Sequence, residues 1–139
     1  MPGEMLMLQV YFLLVVSNIV VGLMLGASFF RDRFSSEFFT AIQNRSVQKS
    51  FGLIAVLIGF FGLIAVLPDD LPILGNLLPA LSSIIVGLAL FIGEPSDEIV
   101  LPPWAELAHQ FIYHNNGIIS IIAIVFGILH FIFPTALFL

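Results

Sequence analysis

The sequence predicts an all-α integral membrane protein with four transmembrane helices, arranged as two tandem, like-oriented helical hairpins that each carry a short interfacial helix in the inner connection. Three observations predict it. Of 139 residues, 60% are hydrophobic and only 9% charged, and the mean hydropathy is +1.14. Soluble domains are roughly 25% charged, so this chain has too few polar side chains to coat a water-soluble globule. The uncharged stretches fall into four lengths that suit a hydrocarbon core about 30 Å thick, which takes roughly 20 residues of helix. Finally, sliding the sequence over itself by 65 residues superposes glycines and a polar pair.

The first span is expected over residues 5–30. Its leader has no basic residue and its apolar run exceeds that of a signal peptide, so it reads as a retained helix. All four basic residues, Arg31, Arg33, Arg45 and Lys49, stand in the next connection, which the positive-inside rule makes cytoplasmic and which puts these cations beside lipid headgroups. Within it, Phe39, Ile42 and Val47 mark one side of a short interfacial helix, with Ser35 and Ser36 as candidate N-caps. The second span is expected over 50–68, followed by an outer Pro-Asp-Asp-Leu-Pro turn.

The third span is expected over 71–93, with a kink at Pro79 because proline removes a donor and crowds the preceding turn. The alternative is a break there, with 71–79 re-entrant and the true span starting near Pro79. The second inner connection, 94–116, carries Glu94, Asp97, Glu98 and Glu106 without a basic residue, and acidic residues weigh little in orientation. Pro102-Pro103 introduces an apolar stripe of Trp104, Leu107, Ala108, Phe111 and Ile112 at helical spacing. Trp104 then belongs at the headgroup level. The fourth span is expected over 117–139, with Pro134 near its end. Both termini lie outside, and the expected home is the plasma (inner) membrane of a prokaryote.

The offset of 65 makes residues 1–139 a single membrane domain of two copies, repeat 1 at about 5–68 and repeat 2 at about 71–139. Gly22 meets Gly87, Gly52 meets Gly117, and Gly62 meets Gly127, where ordinary glycine usage leaves roughly half a match to chance. Two spans per copy give both copies one orientation, related by a pseudo-twofold axis along the membrane normal. Gly22, Gly26, Gly52, Gly62, Gly87 and Gly127 are candidates for close helix packing, with Gly22 and Gly26 forming a GxxxG.

The polar residues of the spans are few. Ser17, Asn18, Ser82 and Ser83 lie near mid-span, and His130 is the one titratable side chain deep in a span. Together they form either a polar pathway or hydrogen-bonding contacts between helices. For His130 the choice is between a proton relay and a neutral ring bonded within the bundle. No Ser/His/Asp set falls at one depth, no phosphate loop is present, and Glu94, Asp97 and Glu98 crowd one loop, so no catalytic residue is assigned. Cysteine is absent, and His109 and His114 miss the spacing of a helical metal pair, so neither metal nor other cofactor is expected. A net charge of −5 without a basic run excludes nucleic acid. The expected role is a non-enzymatic subunit or scaffold of a membrane complex, homo-oligomeric or larger. The alternatives are a small channel or carrier working as an oligomer, and a lipid-binding or membrane-organising protein.

Overall fold

The computed structural model describes residues 2–34, 37–65 and 76–133, and among these every regular element is an α-helix. The elements are α1 (Pro2–Leu25), α2 (Ala27–Phe34), α3 (Glu37–Ala41), α4 (Arg45–Ile64), α5 (Leu77–Ile92), α6 (Pro103–His114) and α7 (Asn116–Ile132). Two of them, α1 with its span Met5–Leu25 and α4, are long and apolar enough to cross a membrane. Helices α6 and α7 are bent by 87° from one another, and counting that pair as one broken span raises the number to three. Helix α5 is apolar but has 16 residues, which at about 1.5 Å per residue falls short of a full hydrocarbon core.

The element boundaries correct several expectations. The first helical run does not stop at residue 30: it passes Gly26 with only a local irregularity, since Gly26 N–H still donates to Gly22 O and Phe30 N–H to Gly26 O. Arg31 and Arg33 therefore sit on helix α2. The helix in the first connection is shorter than expected, the five residues of α3. Asn44 is the reason. Its side-chain oxygen accepts the N–H groups of Ser46 and Val47, an N-cap that starts α4 more than a turn before residue 50 and draws Arg45, Val47 and Lys49 into it.

Pro79 does not kink a long helix. It is the third residue of α5, where its missing N–H would have no partner within the helix in any case. In the second connection, α6 begins at Pro103 as the sequence suggests, and Trp104, Leu107 and Phe111 project outward from it. The candidate caps Ser35 and Ser36, the turn at 68–72, the stretch 71–75 and the Pro134 bend lie outside the described residues.

The largest interfaces are those of α4 with α5 and of α1 with α7, while α1 also touches α4 and α5. Small residues set these contacts. A Cβ on Gly52 would lie 2.6 Å from Gly87 O, and one on Gly87 would lie 2.7 Å from Gly52 O, so the backbones of α4 and α5 meet at this crossing. On the other side of the bundle, Gly22 of α1 and Gly26 just after it lie against Ser120 of α7, and Gly127 of α7 lies against Val15 O of α1. Around these contacts Val21, Met24, Leu25, Ala55, Val86, Leu90 and Ala123 form the core.

The glycine crossing predicts a measurable sensitivity. Gly52→Val and Gly87→Val each force two backbones apart and are expected to lower unfolding stability in detergent by about 1–3 kcal/mol, the usual cost of overpacking. Gly3→Ala, with nothing near its Cβ position, is expected to leave stability unchanged. Equal stability of all three variants would show that the crossing does not hold α4 to α5.

Candidate functional site

Among the described residues, three polar clusters involve the expected site residues. The first lies where α1 meets α5. Ser83 Oγ donates to Ala55 O at 2.9 Å, which leaves Ser17 to donate to Ser83 across 2.7 Å. One residue further along α1, Asn18 Nδ2 donates to Leu14 O at 3.0 Å and to Pro79 O at 2.8 Å. Ser17, Asn18 and Ser83 are all buried. Ser82 is only half-buried, because neighbours on a helix point about 100° apart and its neighbour Ser83 faces the partner helices. Of the expected polar set, the structure thus brings together Ser17, Asn18 and Ser83, tying α1, α4 and α5.

His130 belongs to a second cluster, between α1 and the end of α7. It is fully buried, with its ring 4.7 Å from that of Tyr11. Tyr11 Oη donates to His130 O at 2.7 Å and to Phe131 O at 3.0 Å. Those carbonyls lie in the last turn of α7, where a helix has no donors of its own left. His130 and the serine–asparagine cluster are therefore separate contacts of α1. Asp69 and Asp70 of the turn after the second expected span lie outside the described residues.

The third cluster is at the opposite, charged end of the bundle. Arg45 opens α4 and reaches across to the end of α5, where its guanidinium donates to Leu90 O, to Phe91 O at 2.7 Å and to Ile92 O at 2.6 Å. A cation at a helix C-terminus also meets the negative end of the helix dipole. Gly93 has φ +94°, and a Cβ there would strike the Arg45 guanidinium, so glycine meets both the backbone and the space requirement. Beside it Tyr113 of α6 donates to Ala89 O at 3.0 Å. Burial pushes the Tyr113 phenol up to about 12, with Arg45 opposing the rise and Glu94 adding to it, so the phenol stays protonated as a donor.

The other cations are arranged differently. Arg31 donates to Gln43 Oε1 at 2.9 Å, Arg33 folds back over the Phe29 ring and donates to Phe29 O, and Lys49 lies 5.8 Å from the Phe91 ring. Trp104 is 75% exposed on α6. Between the ends of α1, α5 and α6 a cavity of about 390 Å³ is lined by Ser28, Arg31, Gln43, Gln48, Glu94 and Tyr113. His109, buried against Tyr113, faces a smaller pocket of about 130 Å³ beneath the acidic loop. Among the described residues no three His, Cys, Asp or Glu side chains converge as a metal site.

The sequence offered little warning of Tyr11, Asn76, Ser120 and Tyr113. Asn76 Nδ2 donates to Gly62 O and Ala65 O at the end of α4, and Ser120 is buried against Gly22 and Gly26. The available signal was a polar residue close to a span boundary, which is also the pattern of an ordinary solvated residue.

The fold and its clusters define a helical bundle in which two or three helices suit a membrane crossing. The model of a family of unknown function matches residues 7–130, from within α1 to within α7, and the chain belongs to that family. No curated protein matches the chain, and no solved structure does.

The Arg45 clamp is open to direct test. Arg45→Gln is expected to lower stability by about 1 kcal/mol, the scale of a charge at a helix terminus, and to speed hydrogen exchange in the last turn of α5. Arg33→Gln, whose parent among the described residues bonds to Phe29 O of its own helix, serves as the comparison. Identical exchange in the two variants would remove the clamp.

Proposed function

We propose that the protein is a small, non-enzymatic, multi-pass membrane protein that acts as a subunit or scaffold of a membrane complex through helix packing. The observation that carries this reading is the use of its span polar groups. Ser17 is bound to Ser83, and Ser83 and Asn18 are bound to helix carbonyls, while apolar side chains such as Leu13, Val16, Phe60, Phe61, Ile85 and Ile121 cover the outside. Donors engaged in this way hold helices together, which favours packing over the channel or carrier alternative.

The proposed architecture is four spans in one domain, with α1 and α4 forming the first hairpin and α5 and α7 the second. Two contacts favour the repeat: Gly22 lies against Ser120, and Gly87 against Ala55. Gly22 and Gly87 are 65 residues apart, as are Ala55 and Ser120, so one contact becomes the other when the copies are exchanged. In the proposed orientation the connections 31–50 and 94–116 face the cytoplasm, both termini face outward, and the membrane is the plasma membrane of a prokaryote. The outward stripe of α6 and exposed Trp104 suit a helix lying at the headgroup layer.

A seat for a partner is suggested on α1. Gln9 is exposed in a shallow groove otherwise lined by Leu8, Phe12, Leu13 and Val16. An amide facing hydrocarbon gains a hydrogen bond when another helix docks on it.

Native mass determination after extraction at native expression levels is expected to find an assembly, and Gln9→Leu to weaken it. A lone monomer in several mild detergents would sink the subunit reading. Because the chain has no cysteine, orientation can be mapped separately. Ser46→Cys and Asp97→Cys are expected to react with an impermeant thiol reagent only from the cytoplasmic side, and labelling of intact cells would reverse the topology.

A further inference from the structure

The cavity at the charged end combines two opposite charges in an unusual way. Arg31 and Glu94 both line it, yet no ion pair joins them, and among the described residues the carboxylate paired with Arg31 is that of exposed Asp32 at 3.5 Å. Arg31 uses Nη1 on Gln43 and keeps further donors in its fork. An anion alone would be drawn to Arg31 and repelled by Glu94, and a simple cation would meet the reverse. A molecule that carries both charges at a fixed separation satisfies both walls.

The other walls are held in place. Gln48 donates to Met24 O, Tyr113 to Ala89 O, and Asn116 to Ser28 Oγ. Side chains fixed by such bonds lose little freedom when a ligand arrives. At about 390 Å³ the cavity falls within the range of small-molecule sites, roughly 300–1,000 Å³. An adjoining cavity of about 500 Å³ shares Gln43, Gln48 and Glu94 and adds Arg45, Lys49 and Glu98, so its lining also sets cations against carboxylates.

We propose that this cavity binds a zwitterion of the phosphoethanolamine type, with its phosphate on Arg31 and its primary ammonium on Glu94. The ligand is either the headgroup of an ethanolamine phospholipid or the same group free in solution. Gln43 and Gln48 supply amides for the phosphate oxygens or the ammonium. The proposal goes beyond the subunit reading and depends on the membrane setting only for the lipid source.

The test uses the full chain, delipidated in detergent, with native mass spectrometry of retained lipid. Phosphatidylethanolamine, phosphatidylglycerol and phosphatidylcholine are offered at equal concentration. Ethanolamine lipid is expected to be retained about tenfold over the other two, a difference of about 1.4 kcal/mol: the glycerol lipid has no ammonium, and choline has no N–H to donate. Glu94→Gln is expected to erase the preference over phosphatidylglycerol, Arg31→Gln to weaken all three, and Arg33→Gln to change nothing.

Calorimetry with glycerophosphoethanolamine separates the sources. Binding of this soluble probe, lost in Glu94→Gln, assigns the site to the free group; retention of the lipid alone assigns it to the headgroup. Equal or stronger retention of phosphatidylglycerol, an undiminished preference in Glu94→Gln, or no binding of either ethanolamine probe to the wild-type chain would overturn the proposal. The wild-type comparison stands even where a variant does not fold. Oligomer mass is read from the same spectra, so failure of the subunit reading is scored independently.

Discussion

The last turn of every helix leaves carbonyls without helical donors, and a bundle this apolar has few side chains with which to meet them. The described structure meets three of these needs from neighbouring helices. Asn76 donates to the end of α4, Arg45 to the end of α5, and Tyr11 to the end of α7. In hydrocarbon an unpaired backbone group costs several kcal/mol, more than a lone packing contact returns. The same bonds that satisfy a helix end also fasten it to another helix, so capping and tertiary assembly are here one interaction.

That constraint explains why the small residues matter. A short donor such as Asn76 or Ser83 reaches a carbonyl on another helix only when the two backbones lie close together. The Gly52–Gly87 crossing brings α4 and α5 that near, and Gly22 and Gly26 do the same for α1 and α7. In the interior Ser17, Asn18 and Ser83 take part in such contacts, and charged side chains are found at one end of the bundle. There Arg31, Glu94 and Tyr113 stand around a cavity, and the outward surfaces of α1 and α6 remain apolar. The proposed role in association and the proposed ligand at one end of the bundle both rest on that division.

The two connections that follow α2 and α5 differ more than their common spacing suggests. Asn44 ends the first after a five-residue helix and starts α4 early, which sets Arg45 at the mouth of the bundle. The second continues through the acidic loop into α6, whose Tyr113 packs back toward α5. Basic residues from one connection and Glu94 from the other therefore meet at one place. A charge asymmetry visible along the chain becomes, in space, two sides of a single cavity.

Helical class and the places of the long apolar stretches were legible in the sequence, because hydropathy is a local property that each segment carries by itself. Gly22, Gly52 and Gly87 could likewise be picked out as points of close approach, since a missing side chain means the same wherever it packs. The N-cap at Asn44 and the harmless place of Pro79 in the first turn of α5 were harder to see, because both depend on where a helix begins, and the apolar pattern runs on past that point. The partners of the polar side chains were not legible at all. Tyr11 and the carbonyl of His130 are 119 residues apart, and Arg45 and Leu90 are 45 apart. The sequence by itself determined that this chain forms apolar helices; only the tertiary structure decided which donor reaches which helix end, because that depends on distances between segments that the order of residues does not contain.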